Sequence, residues 1–296
     1  MTASSDHTTL TGKVILITGA TFGIGKEAAL ALAKMGAKVV IVGRDPGRTA
    51  ATVAALKAAS GNDHVDSLLG DLSLLSEVAR VAAAFKAKYQ RLDMLLNNVG
   101  AVFTERGVTA EGFEQTYALN HLSPFALTLQ LLNVMLGSQP ARIINTSSSA
   151  HRPGHIDFDD LQSARHYNAF KSYGASKLAN ILFTQALARR LRATKITVNA
   201  LHPGVVATGF GHNNSGLLKL AVSLAKPFLL TPARGALTSI YLASSPEVAT
   251  TSGLYFAKCR PTKTSREAQD EVVQERLWDI SLKQTKLEPV WRSLSI

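Results

Sequence analysis

The sequence predicts an α/β protein built as a single doubly wound (Rossmann) domain, with a parallel sheet flanked by helices on both faces. Two observations predict this fold. Apolar runs rich in Val, Ile and Leu alternate with segments of helical periodicity, and a glycine-rich turn follows the first run. Such alternation is typical of parallel sheets joined by right-handed crossovers. No shift in composition marks a linker, so residues 1–296 are expected to form one domain.

Five apolar runs are predicted to be buried strands, because strands covered on both faces are continuously apolar. They are Val14–Thr18, Val39–Val42, Asp93–Asn97, Arg142–Asn145 and Ile196–Asn199. The segments between them follow the 3.6-residue period of amphipathic helices. These predicted helices are Gly25–Met35, Gly47–Ala59, Leu74–Tyr89, Glu111–Leu136 and Ser172–Arg192.

Two further segments lack both patterns and are predicted to border a substrate site. His151–Phe170 is polar and mixed, which favours a loop, and Gly209–Leu230 begins with small residues and ends apolar, as a substrate lid would. Leu217–Leu230 is too short to span a bilayer and contains two lysines. We expect a lid helix there, with shallow membrane contact as the alternative.

Composition restricts the class of protein. Apolar residues make up 46% of the chain and charged residues 18%, which suits a globular core and argues against disorder. Cys259 is the single cysteine and cannot form an intramolecular disulfide, so a reducing, cytoplasmic location is expected. The first residues do not resemble a secretory signal, and we expect no transmembrane anchor.

The net charge of the chain is +11, and a strongly basic chain can indicate a nucleic-acid-binding protein. The Lys and Arg residues are scattered, however, without a long basic run or interleaved aromatic residues. We therefore expect no nucleic-acid partner, and a solvated positive surface that would attract an anionic cofactor.

The glycine-rich turn Thr18-Gly-Ala-Thr-Phe-Gly-Ile-Gly25 directly follows the first predicted strand and opens the first helix. Glycines let the backbone turn tightly and approach a pyrophosphate, whose charge is met by amides at the helix N-terminus. The spacing Gly-x3-Gly-x-Gly differs from the commoner Gly-x-Gly-x2-Gly fingerprint. Its place between a strand and a helix still predicts a dinucleotide site.

Tyr173 and Lys177 are four residues apart, so on a helix their side chains project from one face. A nearby ammonium favours the phenolate and would lower the tyrosine pKa from about 10 toward the range of a general acid/base. Pairs with this spacing also occur on solvated helix faces. The functional interpretation therefore depends on Ser148 upstream and on the glycine-rich turn.

Taken together, the motifs resemble those of the short-chain dehydrogenase/reductase family over nearly the whole chain. The matching residues, in order, are the turn Thr18–Gly25, Asn97–Gly100 with Val99 where the family has alanine, Asn120, Ser148, Tyr173 with Lys177, and Pro203–Thr208. The resemblance implies hydride transfer between a nicotinamide cofactor and a carbonyl or alcohol carbon of a small molecule.

The resemblance also implies a role for each matching residue. Ser148 would hydrogen-bond the substrate oxygen, Tyr173 would transfer the proton, and Lys177 would lower the Tyr173 pKa and reach the nicotinamide ribose. Asn120 would hold a water that links Lys177 to solvent. The implied cofactor-binding residues are Gly19, Thr21, Phe22, Gly23, Ile24, Gly25, Arg44, Asp71, Leu72, Asn98, Gly100, Tyr173, Lys177, Pro203, Gly204, Val206 and Thr208.

Within the family, the chain resembles the retinol dehydrogenases and the WW-domain oxidoreductases. Ser148 and Tyr173 are 25 residues apart, longer than the commonest family spacing, and Ser176–Asn180 and Leu277-Trp278 fit the same group. Membrane-bound retinol dehydrogenases usually carry an N-terminal anchor, which is not expected here. The apolar content of His151–Phe170 and Gly209–Leu230 indicates a hydrophobic carbonyl or alcohol substrate. Retinol dehydrogenase-type activity at a membrane surface and a catalytically weak, cofactor-binding regulatory protein are the alternatives.

The end of the second strand favours NADP(H), with NAD(H) as the alternative. NAD enzymes place an acidic residue there to accept from the ribose 2′-hydroxyl. Here Gly43 takes that place, and Arg44 could bind a 2′-phosphate with its guanidinium fork. The other interpretation is that Asp45 caps a helix and Arg44 is simply solvated. Phe22 occupies a turn position that is often basic in NADP-preferring relatives.

Other candidate residues are weaker. Asp157, Asp159 and Asp160 form an acidic cluster, but no nearby His or Cys spacing supports a metal site, and none is expected. Asp71 would contact adenine or cap the following helix. His121 and His202 flank functional motifs and are interpreted as packing residues. The resemblance implies a homodimer or homotetramer, formed through helices such as Glu111–Leu136 and Ser172–Arg192.

Overall fold

The computed structural model describes residues 9–206 and 230–294. In these residues eight strands form one sheet in the order β3-β2-β1-β4-β5-β6-β7-β8. The strands are β1 Val14–Thr18, β2 Lys38–Gly43, β3 Val65–Leu69, β4 Met94–Asn97, β5 Ala141–Thr146, β6 Ile196–His202, β7 Tyr255–Ala257 and β8 Arg260–Pro261. All neighbouring pairs are parallel except β7 with β8.

Helices cover both faces of this sheet, which confirms the predicted doubly wound fold. Numbered over the described residues, they are α1 Gly23–Lys34, α2 Pro46–Ser60, α3 Leu75–Lys88, α4 Gln115–Tyr117, α5 Ser123–Leu136, α6 Ala169–Arg190, α7 Pro232–Ser244, α8 Glu271–Thr285 and α9 Glu288–Arg292. One core lies between the sheet and helices α1, α2 and α7, and the other lies between the sheet and α3, α5 and α6.

The strand order places the site. The chain runs outward from β1 through β2 to β3 and then returns to β4 on the other side of β1. At such a switch point the loops after the two adjacent strands diverge, and a crevice opens at the carboxyl ends of the strands. Ligands of doubly wound sheets bind in that crevice.

All five predicted strands are confirmed, with shifts of a few residues at their ends. Three strands were not predicted: β7 and β8 are very short, and β3 has the mixed sequence Val-Asp-Ser-Leu-Leu. Because β3 lies at the sheet edge and is only partly buried, it lacks the continuous apolar pattern of a central strand.

The predicted helix Glu111–Leu136 is wrong at its start. The chain turns at Gly112, whose φ is +88°, and α4 begins only after Glu114. The Glu114 carboxylate accepts hydrogen bonds from the amides of Thr116 and Tyr117, which starts the helix at this point. A wider π turn, Ala118–Leu122, then joins α4 to α5.

The predicted loop His151–Phe170 is observed over most of its length. It follows a short 3-10 turn, Ser149–His151, and ends where Asn168 caps α6 by accepting hydrogen bonds from two backbone amides. Thr208 and the predicted lid up to residue 229 lie outside the described residues. Among the residues that are described, no helix is both long enough and apolar enough to cross a membrane.

The C-terminal helices cover the outer side of α5 and α6. Trp278 of α8 is 2% exposed, and its ring lies 5.2 Å from Phe125 of α5 and 6.1 Å from Phe183 of α6. The Arg190 guanidinium lies 4.1 Å from the Trp278 ring and also pairs with Glu275. The resemblance implies that subunits pair through the helices here called α5 and α6. Part of the surface of these two helices is covered by the chain's own helix α8.

Candidate active site

The glycine-rich turn is held tightly against the end of β4. Gly19 has a φ of +64°, and the Asn98 amide donates to the carbonyls of Thr18 and Gly19, both at 3.0 Å. A Cβ at Gly25 would overlap Gly19 O and lie 2.5 Å from Asn98 Nδ2. Glycine is therefore required for α1 to start this close to β4.

A crevice of about 600 Å³ opens above this turn, at the carboxyl ends of the central strands. Many of the predicted cofactor residues line it, namely Gly19, Thr21, Phe22, Arg44, Asp71, Leu72 and Gly100. Four predicted cofactor residues do not line the crevice. Gly23, Ile24 and Gly25 form the first turn of α1, and Asn98 directly follows β4. No side chain caps the N-terminus of α1, so its first amides are available to an anion. These features fit a dinucleotide.

The end of β2 has no room for an acidic side chain. A Cβ at Gly43 would overlap Thr49 Oγ1, which is fully buried in α2 and donates to Asp45 O. The next residue, Arg44, has a side chain that is 74% exposed and lies 3.8 Å from Asp71 Oδ2. An exposed pair at this distance contributes little, so the guanidinium remains available at the crevice rim.

Asp45 and Asp71 both have local structural partners. Asp45 accepts a hydrogen bond of 2.7 Å from the Arg48 amide and so caps α2, as the alternative interpretation expected. Asp71 accepts from the amide and the hydroxyl of Ser73 at 3.0 and 2.8 Å. Asp71 nevertheless lines the crevice, so capping and ligand contact do not exclude one another.

Ser148, Tyr173 and Lys177 come together beyond the carboxyl end of β5. Tyr173 and Lys177 lie on α6, and the Lys177 ammonium is 5.5 Å from the centre of the Tyr173 ring. The Ser148 side chain hydrogen-bonds that of Tyr173. Lys177 is 3% exposed and donates to Thr146 O at 3.1 Å. Tyr173 and Lys177 therefore project from one face of α6, as their spacing predicted, and Ser148 lies next to Tyr173.

The expected lowering of the Tyr173 pKa is wrong for this structure. Burial raises the pKa of Tyr173 to about 12, and the hydrogen bond from Ser148 offsets only part of that effect. Burial likewise lowers the pKa of Lys177 to about 8. The physical reason is that a low-dielectric environment disfavours both charged forms, while the ammonium is directed to Thr146 O. Near pH 7, Tyr173 is thus a neutral proton donor beside a charged lysine.

Asn120 lies in the π turn and is fully buried. Its amide nitrogen donates to Ala101 O at 2.9 Å and to Ser176 Oγ at 3.0 Å, and its oxygen accepts from Ala101 N at 2.9 Å. Both amide hydrogens are therefore bonded to the protein rather than directed at a water. Asn120 fastens the segment after β4 to helix α6, and π turns are frequent at functional sites.

Gly100 connects the crevice to this group of side chains. It lines the crevice, and a Cβ at this position would lie 2.9 Å from Lys177 Nζ and 3.2 Å from Asn120 Oδ1. The lysine and the asparagine therefore lie directly behind Gly100, which lines the crevice.

A buried asparagine network supports the site and was not predicted. Asn97 donates to Thr128 Oγ1 at 2.9 Å and to Asn145 Oδ1 at 2.8 Å, and Asn145 donates to Thr184 Oγ1 at 2.9 Å. These bonds tie β4 and β5 to α5 and α6. The available signal was an asparagine at the end of each of two apolar strands, in register with one another.

Two histidines support the turn that carries Ser148. His151 is fully buried, its Nδ1 lies 2.6 Å from Ser148 O, and its ring meets that of Tyr255 edge-on at 4.8 Å. His202 Nδ1 accepts from the Ser149 amide at 3.3 Å. Burial lowers the pKa of both histidines, so both are neutral near pH 7.

The segment after β6 turns sharply at Gly204 and meets Leu230. Gly204 has a φ of +92°, and a Cβ there would overlap the Leu230 side chain. Val206 pairs with Leu230 in an isolated parallel bridge, and Pro203 directly precedes the turn. Of the cofactor residues predicted in this motif, Pro203, Gly204 and Val206 are described.

The acidic cluster of the 152–168 loop has structural partners. Asp157 pairs with Arg165 at 3.1 Å, and Asp160 accepts hydrogen bonds from the amides of Ala164 and Arg165. Within residues 9–206 and 230–294, no group of His, Cys, Asp and Glu side chains is arranged to hold a metal ion.

Comparison with known proteins identifies the family. A family model described as short chain dehydrogenase matches residues 13–216, more than half of the chain. Retinol dehydrogenase 13 of Homo sapiens is 40% identical over 292 residues, which cover 97% of this chain and 88% of that protein. Retinol dehydrogenase 12 of Bos taurus is 42% identical over 272 residues, which cover 92% of this chain and 86% of that protein.

Solved structures show the same fold. An uncharacterized protein from Mycobacterium Paratuberculosis matches with a TM-score of 0.78 and 30% identity, covering 95% of this chain and 96% of its own. The Pseudomonas aeruginosa RhlG/NADP active-site complex matches with a TM-score of 0.68 and 30% identity, covering 84% and 96%. The chain therefore belongs to the short-chain dehydrogenase family of oxidoreductases, in the branch that contains retinol dehydrogenases 11 to 14.

Proposed function

We propose that this protein is an NADP(H)-dependent oxidoreductase that transfers a hydride between the nicotinamide and the carbonyl or alcohol carbon of a hydrophobic substrate. The observation that carries the proposal is the convergence of Ser148, Tyr173 and Lys177 beside a dinucleotide-sized crevice. A nicotinamide cofactor supplies the hydride when reduced and accepts it when oxidised.

The residues that would hold this cofactor are distributed along the crevice. The turn Thr18–Gly25 and the uncapped N-terminus of α1 suit its pyrophosphate. Asp71 and Leu72 lie where they could contact the adenine, and Gly100 leaves space next to Lys177 for the ribose of the nicotinamide.

The protein's own part in a reduction is to deliver a proton and stabilise charge. Negative charge develops on the substrate oxygen as the carbonyl carbon gains the hydride, and Tyr173 donates its proton to that oxygen. The Ser148 hydroxyl orients the same oxygen with a hydrogen bond. Lys177 is mostly charged near pH 7 and stabilises the phenolate that remains on Tyr173. Oxidation of an alcohol reverses these transfers.

The preference for NADP(H) over NAD(H) is supported by the end of β2. An acidic residue that accepts from a ribose 2′-hydroxyl cannot replace Gly43 without displacing Thr49. Arg44 and Arg48 both line the crevice, and a 2′-phosphate needs such cationic partners. The NADP complex of the similar RhlG protein is consistent with this preference.

The substrate class is proposed from the relatives and from one surface feature. Relatives at about 40% identity are named retinol dehydrogenases, which makes retinaldehyde or retinol a specific candidate. Phe170 is 68% exposed less than one helical turn before Tyr173, so an apolar side chain is available near the site. We propose a hydrophobic carbonyl or alcohol, and a cytoplasmic location with contact at a membrane surface as the alternative.

An assay of NADPH and NADH oxidation with aldehydes, ketones and retinaldehyde tests the function. We expect turnover with at least one apolar carbonyl and a higher kcat/KM for NADPH. The Tyr173→Phe variant should lose turnover but still bind NADPH. Tyr241→Phe is the matched control, because Tyr241 lies on α7 and donates to Glu247. Full activity of Tyr173→Phe would contradict the proposal, as would inactivity of the wild type with every carbonyl.

A further inference from the structure

We propose that His121 is a positioning residue for Lys177, and that it acts through the side chain of Asn180 and the carbonyl of Thr146. Helix α8 anchors this buried chain of groups through Ser281. The inference rests on the proposed function, because it assigns a task to a residue behind the same site.

His121 is fixed in one orientation by its surroundings. It follows Asn120 in the π turn and is fully buried. Its Nε2 lies 2.8 Å from Ser281 Oγ on α8. Its ring lies 5.4 Å from that of Tyr117 and 6.1 Å from that of Phe125, so it has little freedom to rotate. Burial lowers the pKa of His121 to about 4, so the ring is neutral near pH 7.

Asn180 is a polar side chain next to His121, and since Nε2 meets Ser281 we assign the contact with Asn180 to Nδ1. Among the described residues, His121 Nδ1 and Asn180 Oδ1 are both buried without a well-formed hydrogen bond. The Asn180 amide is also the neighbour that favours the protonated form of His121. A neutral imidazole carries one N–H, and only an Nδ1–H can donate to Asn180 Oδ1. The Ser281 hydroxyl then donates to Nε2.

Asn180 passes this constraint to the site. Its Nδ2 donates to Thr146 O at 3.2 Å, and the same carbonyl accepts from Lys177 Nζ at 3.1 Å. If the amide were reversed, Asn180 Oδ1 would face Thr146 O and repel it. A proton donor on the Oδ1 side therefore keeps Nδ2 on the carbonyl, and so holds the carbonyl that orients the Lys177 ammonium.

This arrangement separates positioning from substrate binding. His121 lies behind α6 and does not line the crevice. Losing its donor should disturb the Lys177 ammonium, which stabilises the Tyr173 phenolate and is one of several groups proposed to hold the cofactor, and should leave the residues that line the crevice in place. The expected effect is therefore on kcat rather than on KM.

The kinetic test compares His121→Phe, which keeps an aromatic ring but has no donor, with His121→Asn, whose amide nitrogen takes the place of Nδ1 and can still donate. We expect His121→Phe to lower kcat about tenfold, with KM for the carbonyl and Kd for NADPH within about twofold of wild type. We expect His121→Asn to recover much of the loss. His64→Phe is the control, because His64 is exposed. Unchanged kcat in His121→Phe, or a His121→Asn variant no better than His121→Phe, would overturn the inference.

A measurement on the wild-type protein keeps the inference testable if the variants fold poorly. Long-range ¹H–¹⁵N spectra of protein labelled with ¹⁵N-histidine report the tautomer of each neutral ring. The inference requires the Nδ1–H tautomer for His121 at pH 7, and an Nε2–H tautomer would overturn it. This result needs no turnover. If the enzyme is inactive with every carbonyl, the proposed function is refuted. The tautomer of His121 still tests the positioning geometry in that case.

Discussion

Replacing Lys177 with methionine should stabilise the folded protein while it removes activity. Lys177 is 3% exposed, and burial lowers its pKa from 10.5 to about 8. At roughly 1.4 kcal/mol per pKa unit, keeping the buried ammonium charged at pH 7 costs about 3 kcal/mol. Methionine is similar in length and uncharged, and the lost hydrogen bond to Thr146 O is worth about 1 kcal/mol. The net gain in free energy of unfolding at pH 7 should be about 2 kcal/mol.

This gain should depend on pH with a definite sign. Below pH 8, Lys177 is protonated in both the folded and the unfolded chain, and the full cost of burial applies. Between pH 8 and 10.5 the folded protein has lost the proton while the unfolded chain still binds it, so this lysine makes the wild type more stable as pH rises. The advantage of Lys177→Met should therefore shrink across this range and become a loss of about 1 kcal/mol above it, because the hydrogen bond to Thr146 O is still missing.

Urea unfolding of wild type and variant at pH 7, 9 and 10.5, followed by tryptophan fluorescence, measures the difference. Changes in other titrating groups cancel, because they are common to both proteins. Lys195→Met is the matched control, since Lys195 is exposed and its replacement should change stability by less than about 0.5 kcal/mol. A Lys177→Met variant that is less stable at pH 7, or whose gain is the same at every pH, would refute the reasoning.

Three further predictions concern the crevice and the C-terminal helices. Arg44→Ser should weaken NADPH binding about tenfold and NADH binding little, because a charged hydrogen bond to the 2′-phosphate is lost; equal losses in a fluorescence titration would argue against an NADP site. Gly25→Ala should abolish the binding of both nucleotides, since the added methyl would overlap Gly19 O; unaltered binding would exclude the turn as the pyrophosphate site. Trp278→Ala should lower the free energy of unfolding by about 3–5 kcal/mol, because Trp278 packs between α5 and α6. A loss below 1 kcal/mol in urea unfolding would mean that α8 contributes little.

The parts of the fold that depend on local pattern could be predicted. The five central strands are mostly apolar and buried. The turn after β1 carries its glycines at the positions where the backbone must bend or pass another segment. The edge strand β3 could not be found in this way, because a partly buried strand has no distinctive run. The break in the predicted helix Glu111–Leu136 depends on the capping contacts of Glu114, which periodicity does not reveal.

The protonation behaviour of the site was harder to predict than the residues that form it. The resemblance to a family supplied Ser148, Tyr173 and Lys177, but the direction of the pKa shifts of Tyr173 and Lys177 follows from burial, which only the packed structure shows. Contacts between distant parts of the chain were likewise not predictable. The His121–Ser281 contact joins residues 160 positions apart, and no spacing rule connects them.

Deuterium transfer tests the central claim most directly. The protein would be incubated with an apolar aldehyde or ketone and with NADPH that carries deuterium at the transferred position of the nicotinamide, and the alcohol product analysed by mass spectrometry. We predict that the wild type and Tyr241→Phe give alcohol with one deuterium on carbon, and that Tyr173→Phe binds NADPH but gives no product. An alcohol without deuterium, or undiminished product from Tyr173→Phe, would contradict hydride transfer assisted by Tyr173.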